Sequence, residues 1–465
     1  MAIMRFPEGF RFGTATASYQ IEGAAKEGGR TPSIWDTFSH TPGKTVNGDT
    51  GDVACDSYHR WREDIALLAD LGVNSYRFSV AMPRVLPTED GPVNEEGLDF
   101  YERIVDELLA KDIEPTVTLY HWDLPQYLGD KDGWLNRSTA YKLADYAGVV
   151  AHRLGDRVRT YTTLNEPWCS SYLSYGATEH APGLGLGPGA FPAVHHLNLA
   201  HGLMAQAVRA EVGDRSDVSV TCNLQLNRGD ADAVHRLDLI ANRVWLDPML
   251  RGYYPDELFA ITKGICDWEF IKDGDLEQIH QPIDVLGVNY YNTSLLAMSD
   301  RPQFPQSTAA STAPGASDVD WLPTEGPHTA MGWNIDPDGL YDLLMRVHND
   351  YPEMPLMVTE NGMACDDHLV SEADPSTGET VKAVHDADRI DYLRRHFEAA
   401  GRAMDAGVDL RGYFVWSLLD NFEWAFGYTK RFGIVYMDYE TLERTPKDSF
   451  KWYRKLIADR AIPQA

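Results

Sequence analysis

Two glutamates stand in the same setting. In Pro355-Leu356-Met357-Val358-Thr359-Glu360-Asn361-Gly362, a short apolar run with the pattern of a buried strand stops at a carboxylate and an Asn-Gly turn signal. Thr160-Tyr161-Thr162-Thr163-Leu164 reads as a second strand and runs into Asn165-Glu166-Pro167, where the proline halts regular pairing just past Glu166. Two carboxyl groups in different protonation states can cleave an acetal: one protonates the leaving oxygen, and the other stabilises or captures positive charge at the anomeric carbon. Glu166 and Glu360 are far apart in the chain. That chemistry therefore needs a fold that gathers distant strand ends on one face.

The elements around them predict such a fold. Candidate strands fall at residues 12–20, 75–80, 116–120, 161–164, 218–223, 285–290, 356–359 and 412–417, and each is followed by a helical pattern. Trp61, Ile65, Leu68 and Leu71 recur at helical spacing and lead to Gly72, a C-cap residue by type. Leu98, Tyr101, Ile104, Val105, Leu108 and Leu109 line one face of the next helix, with Asn94 in place to cap it. Further helices are expected near 139–154, 193–212, 234–245, 340–348, 389–406 and 449–457, and a Gly- and Pro-rich loop over 28–51. Eight strand–helix units with no break in composition predict an α/β chain. The expected architecture is a single (β/α)8 TIM barrel domain over residues 1–465, because an open sheet of that many parallel strands would be unusual. The Ser/Thr/Ala/Pro/Asp-rich stretch 292–333, including 307–315, is expected to be a long loop on the C-terminal face of the strands, where loops wall binding sites.

A parallel barrel brings all its strand ends to one rim, and the polar residues of this chain collect there. Gln20 follows the first strand and Arg77 lies in the second. His121-Trp122 closes the third, Asn165-Glu166 the fourth, Asn289-Tyr290-Tyr291 the sixth, and Glu360 the seventh; Trp416 and Asn421-Phe422-Glu423-Trp424 belong to the eighth. Taken singly, each has a plain reading as a cap, a loop residue, a core aromatic or a satisfied histidine. Their coincidence on one rim favours a site. Arg77 and Tyr291 are the natural partners to hold Glu360 ionised. Partial desolvation, together with the charge of Glu360, would keep Glu166 protonated.

Composition narrows the partners. The formal net charge of −29 repels polyanions, so nucleic acid and anionic membranes are poor partners and a neutral small molecule fits better. Twelve Trp and 23 Tyr can supply platforms for sugar rings. The first ten residues carry no apolar stretch of secretory type, and no segment approaches the roughly 20 apolar residues of a membrane span, so the expected location is cytoplasmic. Cys55, Cys169, Cys222, Cys266 and Cys365 are widely spaced and read as reduced buried thiols. No His-x-His or H-E-x-x-H cluster occurs. His195, His196 and His201 are not at i, i+4 spacing and read as packing or surface residues, and neither a metal nor a cofactor is expected.

The segments Thr163-Leu164-Asn165-Glu166-Pro167, Val358-Thr359-Glu360-Asn361-Gly362 and Val415-Trp416-Ser417-Leu418-Leu419-Asp420-Asn421-Phe422-Glu423-Trp424, with the opening Phe10 to Gly23, resemble the retaining β-glycosidases of glycoside hydrolase family 1 over nearly the full chain. The resemblance implies Glu166 as acid/base and Glu360 as nucleophile, with a covalent glycosyl-enzyme between two displacements and carboxyl groups about 5 to 5.5 Å apart. It implies Asn165 on the sugar's 2-hydroxyl, and Gln20, His121, Glu423 and Trp424 on the other ring hydroxyls. Trp416 would be the floor of the glycone pocket, Tyr291 and Arg77 would support Glu360, and Trp168 and Trp333 would form the aglycone side. Family members specific for 6-phosphosugars carry small and cationic residues where this chain has Glu423 and Trp424, so a free sugar is implied. Thioglycosidase relatives replace the acid/base with an amide, against which Glu166 stands. The implied activity is β-glucosidase, of the kind used in cellulose degradation, with side activity on β-D-fucosides and β-D-galactosides. Transglycosylation uses the same intermediate and is not separated from hydrolysis by these residues.

Overall fold

The computed structural model describes residues 4–300, 310–373 and 378–463. Residues 1–3 of the N-terminal stretch and 301–309 of the long loop lie outside that description.

Eight parallel strands close into a barrel: β1 Arg11–Ala15, β2 Ser75–Ser79, β3 Glu114–Tyr120, β4 Thr160–Asn165, β5 Asp217–Cys222, β6 Val285–Asn289, β7 Leu356–Asn361 and β8 Leu410–Trp416. Each pairs with its neighbours in chain order, and β1 closes the ring on β8 through five registered pairs from Arg11↔Gly412 to Ala15↔Trp416. The strands are buried along nearly their whole length, because one side faces the barrel interior and the other the surrounding helices. That is why they read in the sequence as short continuous runs of Val, Ile, Leu, Thr and Tyr.

The helices form the outer layer, and their stripes explain their positions. In Ser57–Leu71 the buried residues Trp61, Ile65 and Leu68 face the strands, and Gly72 ends the helix in the left-handed region at φ 80. Asn94 does stand immediately before Glu95–Ala110, but it does not cap that helix. Its amide donates to the carbonyls of Gly28 and Arg84, and Glu95 and Glu96 supply the first-turn negative charge instead. Phe191–Val212 is buried almost all round, as a helix covered by other helices must be.

Five further expectations are corrected. The first strand ends at Ala15, and Ser18–Ile21 is a single helical turn; Gln20 sits on that turn. The 28–51 loop contains the helix Ile34–Ser39, started by a capping box between Ser33 and Asp36. The helix expected over 234–245 is three pieces, Ala231–Asp238, a π-helical turn Leu239–Arg243 and Val244–Arg251. Asn361-Gly362 is not a turn: Asn361 ends β7 with its amide donating to Tyr290 O and Tyr392 Oη, and Gly362 runs against the end of β8. Finally, 292–333 is not wholly irregular. Thr293–Met298 pairs in parallel with Leu226–Gly229 and antiparallel with Val319–Leu322, and this small sheet lies beyond the C-terminal ends of the barrel strands.

Candidate active site

Because all eight strands run the same way, their last residues share a rim, and the polar side chains there are locked to one another. Glu166 follows β4 with its backbone in the left-handed region at φ 47, held by its N–H on Thr221 O at 2.9 Å. Its Oε1 accepts from Asn289 Nδ2 at 2.7 Å and its Oε2 from the Cys169 thiol at 3.1 Å. Glu360, the penultimate residue of β7, accepts from Arg77 Nη1 on Oε1 at 2.6 Å and from Tyr291 Oη on Oε2 at 2.7 Å. The two carboxyls are joined through one amide: Arg77 Nη2 and Asn289 Nδ2 both donate to Asn165 Oδ1, at 2.7 and 3.1 Å. Thr359 Oγ1 donates to Asn289 Oδ1 at 2.7 Å and so fixes which way that amide faces. The path Glu360–Arg77–Asn165–Asn289–Glu166 thus draws on β7, β2, β4 and β6.

The same network settles a tautomer. Asn165 uses Oδ1 as a double acceptor, so its Nδ2 is the donor in the 3.1 Å contact with His121 Nε2. His121 is neutral, its pKa held well below the usual histidine range first by burial and then by the Arg77 charge. Its proton is therefore on Nδ1, which has no hydrogen-bond partner among the described residues and is free to donate to a ligand.

Burial dominates the electrostatics of the carboxyls. Glu166 is pushed up to about 7, first by desolvation and then by the charge of Glu360, while Asn289, Cys169 and Arg77 pull the other way. Glu423 is pushed up to about 8 by burial and then by Glu360 and Glu166. Its Oε2 is buried without a hydrogen-bond partner among the described residues. The loop that carries Glu423 is clamped from below: Asp420 accepts from Lys447 Nζ at 2.7 Å, from Arg431 Nη1 at 2.8 Å and from Gly433 N at 2.9 Å. Gln20 holds the same loop, donating to Asn421 Oδ1 and Phe422 O at 3.0 and 2.8 Å while its own Oε1 stays unpaired among the described residues.

A cavity of about 440 Å3 opens over this rim. His121, Glu166, Tyr291, Glu360, Trp416, Glu423 and Trp424 all line it, and Trp168 and Trp333 stand in its wall. Gln20, Arg77 and Asn165 sit behind the lining. Trp424 packs against Trp122 and Trp35, each at 4.6 Å between ring centroids, and Trp416 lies nearly parallel to His121 at 5.9 Å. Ser294, Thr312, Ala313, Trp321 and Met331 of the long loop reach the cavity, as expected of a wall.

His195, His196 and His201 are all buried and none reaches the rim. His195 pairs with Asp275 at 2.8 Å and His201 with Thr163 Oγ1 at 2.7 Å. Two contacts of the site were missed by sequence reasoning. Asn289 occupied a strand end and carried the signal, though no role was drawn from it. Cys169 gave none, since its place depends on how the chain turns after Glu166.

Comparison with known proteins follows the same outline. The family model for glycosyl hydrolase family 1 matches residues 3–462. A bifunctional β-D-glucosidase/β-D-fucosidase of Bifidobacterium breve is 71% identical over 462 residues, covering 98% of this chain and 99% of the relative. Thermostable β-glucosidase B of Thermobispora bispora is 49% identical, covering 98% of this chain and 91% of the relative. Among solved structures, a β-glucosidase from Thermotoga maritima in complex with deoxynojirimycin superposes with a TM-score of 0.89 at 43% identity, covering 99% of this chain and 100% of that one.

Proposed function

The chain belongs to glycosyl hydrolase family 1 and is a β-glucosidase, and from that premise we propose that it works by double displacement, with Glu360 as nucleophile and Glu166 as acid/base. The observation that carries this reading is the hydrogen-bonded path from one carboxyl to the other through Arg77, Asn165 and Asn289. Glu360 has both oxygens held by donors, which aims the carboxylate while leaving lone pairs for attack. Glu166 carries the proton that the departing oxygen needs.

In the first step Glu360 attacks the anomeric carbon and Glu166 gives its proton to the leaving oxygen, so the aglycone departs as a neutral alcohol. The glycosyl ester formed removes the charge of Glu360, one cause that keeps Glu166 protonated, and Glu166 becomes the base its second role requires. It takes a proton from the incoming water, whose oxygen displaces Glu360. Retention at the anomeric carbon follows from two inversions.

In the proposed glycone pocket, His121 Nδ1–H and the Glu423 carboxyl, whose Oε2 has no partner among the described residues, would meet neutral hydroxyls, with Trp416 under the ring and Gln20 supporting the Glu423 loop from behind the lining. A phosphate there would meet the buried Glu423 carboxyl, and no Lys or Arg among the described residues lines the cavity to neutralise it. The gluco and fuco rings share the 2- and 3-hydroxyls and differ at C4 and C6, and the printed name of the Bifidobacterium breve relative joins activity on both, which favours both here. Trp168 and Trp333 would flank the aglycone. A cytoplasmic location fits five cysteines that are all free thiols.

The test is the initial rate on phenyl β-D-glucoside beside the fucoside, galactoside and 6-phosphoglucoside, with Glu166→Gln as control. The glucoside or fucoside is expected to lead, and the control to lose about 10^2 to 10^4 in rate. Cleavage of the phosphosugar alone would overturn the role given to Glu423, and a control at wild-type rate would overturn that of Glu166.

A further inference from the structure

The turn after Glu166 brings a second side chain back onto its carboxyl. Cys169 N donates to Glu166 O at 2.9 Å, closing a four-residue turn through Pro167 and Trp168, and Cys169 then opens the π-helical turn Cys169–Gly176. The turn sets the Cys169 thiol 3.1 Å from Glu166 Oε2, with Sγ itself 3.6 Å from Asn223 Nδ2. The residue is 5% exposed and borders the cavity.

The other oxygen of Glu166 is the more firmly held. Oε1 faces the Asn289 N–H, and that amide is turned by Thr359 so that it can only donate. A proton on Oε1 along that direction would meet another proton. The transferable proton is placed on Oε2 because its donor is the weaker one, a thiol at 3.1 Å against an amide N–H at 2.7 Å on Oε1, which leaves Oε2 the more basic oxygen. Resting on the acid/base reading of Glu166, we propose that Cys169 is a positioning residue for the proton of Glu166: its S–H donates to Oε2, aims that oxygen at the leaving group, and binds it more tightly once the proton has gone. The thiol keeps its own proton throughout, consistent with burial holding its pKa well above the usual thiol range. Only the Glu166 proton moves, to the glycosidic oxygen in the first step and back from water in the second.

The remaining titratable and charged groups that bear on Glu166 come from every side. They are Glu360 from β7, Arg77 from β2, Tyr291 after β6, Glu423 after β8 and the Cys222 thiol of β5. His121 and His180 border the same cavity and are neutral through burial. None of these others is hydrogen-bonded to Oε2, so removing the thiol changes one contact on that oxygen.

The experiment compares kcat/KM against pH for wild type, Cys169→Ala and Cys169→Ser on phenyl β-D-glucoside, whose leaving group needs the proton, and on 2,4-dinitrophenyl β-D-glucoside, whose leaving group does not. In Cys169→Ala the alkaline limb on the phenyl substrate should move up by about half a unit. Its rate at pH 6 should drop by about 10-fold, against less than about 2-fold on the dinitrophenyl substrate. Cys169→Ser, which puts the stronger hydroxyl donor in place of the thiol, should carry the limb below the wild-type position, and the acid limb should stay put in all three. An alkaline limb that coincides in all three proteins, or an equal drop on both substrates, overturns the role of the thiol and leaves Cys169 a packing residue. If the alanine protein does not fold, the serine protein decides alone: a limb displaced downward supports the proposal and an unmoved limb overturns it. Glu166→Gln is assayed alongside; if it cleaves the phenyl substrate normally, the acid/base reading falls and takes this proposal with it.

Discussion

At the scale of single residues, the site is built from groups whose burial works against their charge. Glu166 and Glu423 are both raised from the usual carboxyl value, to about 7 and about 8, chiefly by desolvation. Each therefore holds a proton in the folded protein that the unfolded chain releases near pH 4 to 5. The sign follows from linkage: the contribution of each to stability is full below the ordinary carboxyl value and is lost as pH rises through the folded-state value. The ligand-free protein should lose stability from about pH 5 to about pH 8, the window between the ordinary carboxyl value and the two raised ones. Replacing Glu423 by Gln removes one buried charge and should raise unfolding stability at pH 8 by about 2 to 4 kcal/mol, flatten that decline, and raise KM for the glucoside. Urea unfolding of both proteins at pH 5.5 and pH 8 checks this, and parallel curves with the same decline would refute it. The same shift predicts that kcat/KM falls as pH rises through about 7, where Glu166 loses its proton.

At the scale of elements, what the sequence made legible was whatever the barrel repeats. Strands buried on both sides show as short runs of β-branched and aromatic residues, and their ends show because polar residues are costly anywhere else along them. That was enough to place Arg77, Glu166 and Glu360 on one rim. The turn Ser18–Ile21 was not legible, since four residues carry no helical period, and its Ser and Tyr suit a strand equally well. The sheet formed by Leu226–Gly229, Thr293–Met298 and Val319–Leu322 was hidden because its partners are distant in sequence. The hydrogen bond from Cys169 depends on a π-helical turn that no residue pattern announces. Asn361-Gly362 misled for a different reason: the glycine serves close approach, not a turn. A Cβ on Gly362 would lie 1.9 Å from the carbonyl oxygen of Trp416, a backbone atom that cannot swing aside. Gly362→Ala should thus push the ends of β7 and β8 apart, carrying Glu360 and Trp416 with them. A loss of about 100-fold in kcat and about 2 kcal/mol in stability is expected from the purified variant. Wild-type kcat together with a wild-type urea midpoint would show that the strand ends do not govern the site in this way.

At the scale of the whole molecule, the chain ties its two ends to the same machinery. β1 and β8 close the barrel, and the last helix, Asp448–Asp459, locks onto the seam through Tyr453 Oη, which donates to Gly13 O at 3.0 Å. Lys447, fully buried, bridges Asp367 at 2.6 Å and Asp420 at 2.7 Å, so the segment entering that helix also supports the loop that carries Glu423. The whole chain carries 41 basic residues against 70 acidic ones. Two electrostatic effects compete there. Close ion pairs such as Arg153 with Glu102 at 2.7 Å and Arg157 with Asp106 at 2.8 Å attract across distances far shorter than the screening length. The surplus of negative charge repels across the whole surface, where screening at about 10 Å in 0.1 M salt removes most of it. Repulsion is the term that salt weakens more. The urea midpoint should therefore rise between 10 and 150 mM sodium chloride, over which the screening length falls from about 30 Å to about 8 Å. KM for a neutral aryl β-D-glucoside should stay within about 2-fold, because an uncharged substrate does not feel the field. An anionic glycoside should bind poorly at low salt and gain on the neutral one as salt rises. A midpoint that falls with salt would mean that the surface ion pairs outweigh the surplus charge, and a salt-dependent KM for the neutral substrate would mean that the loops over the cavity, rather than the field, respond to ionic strength.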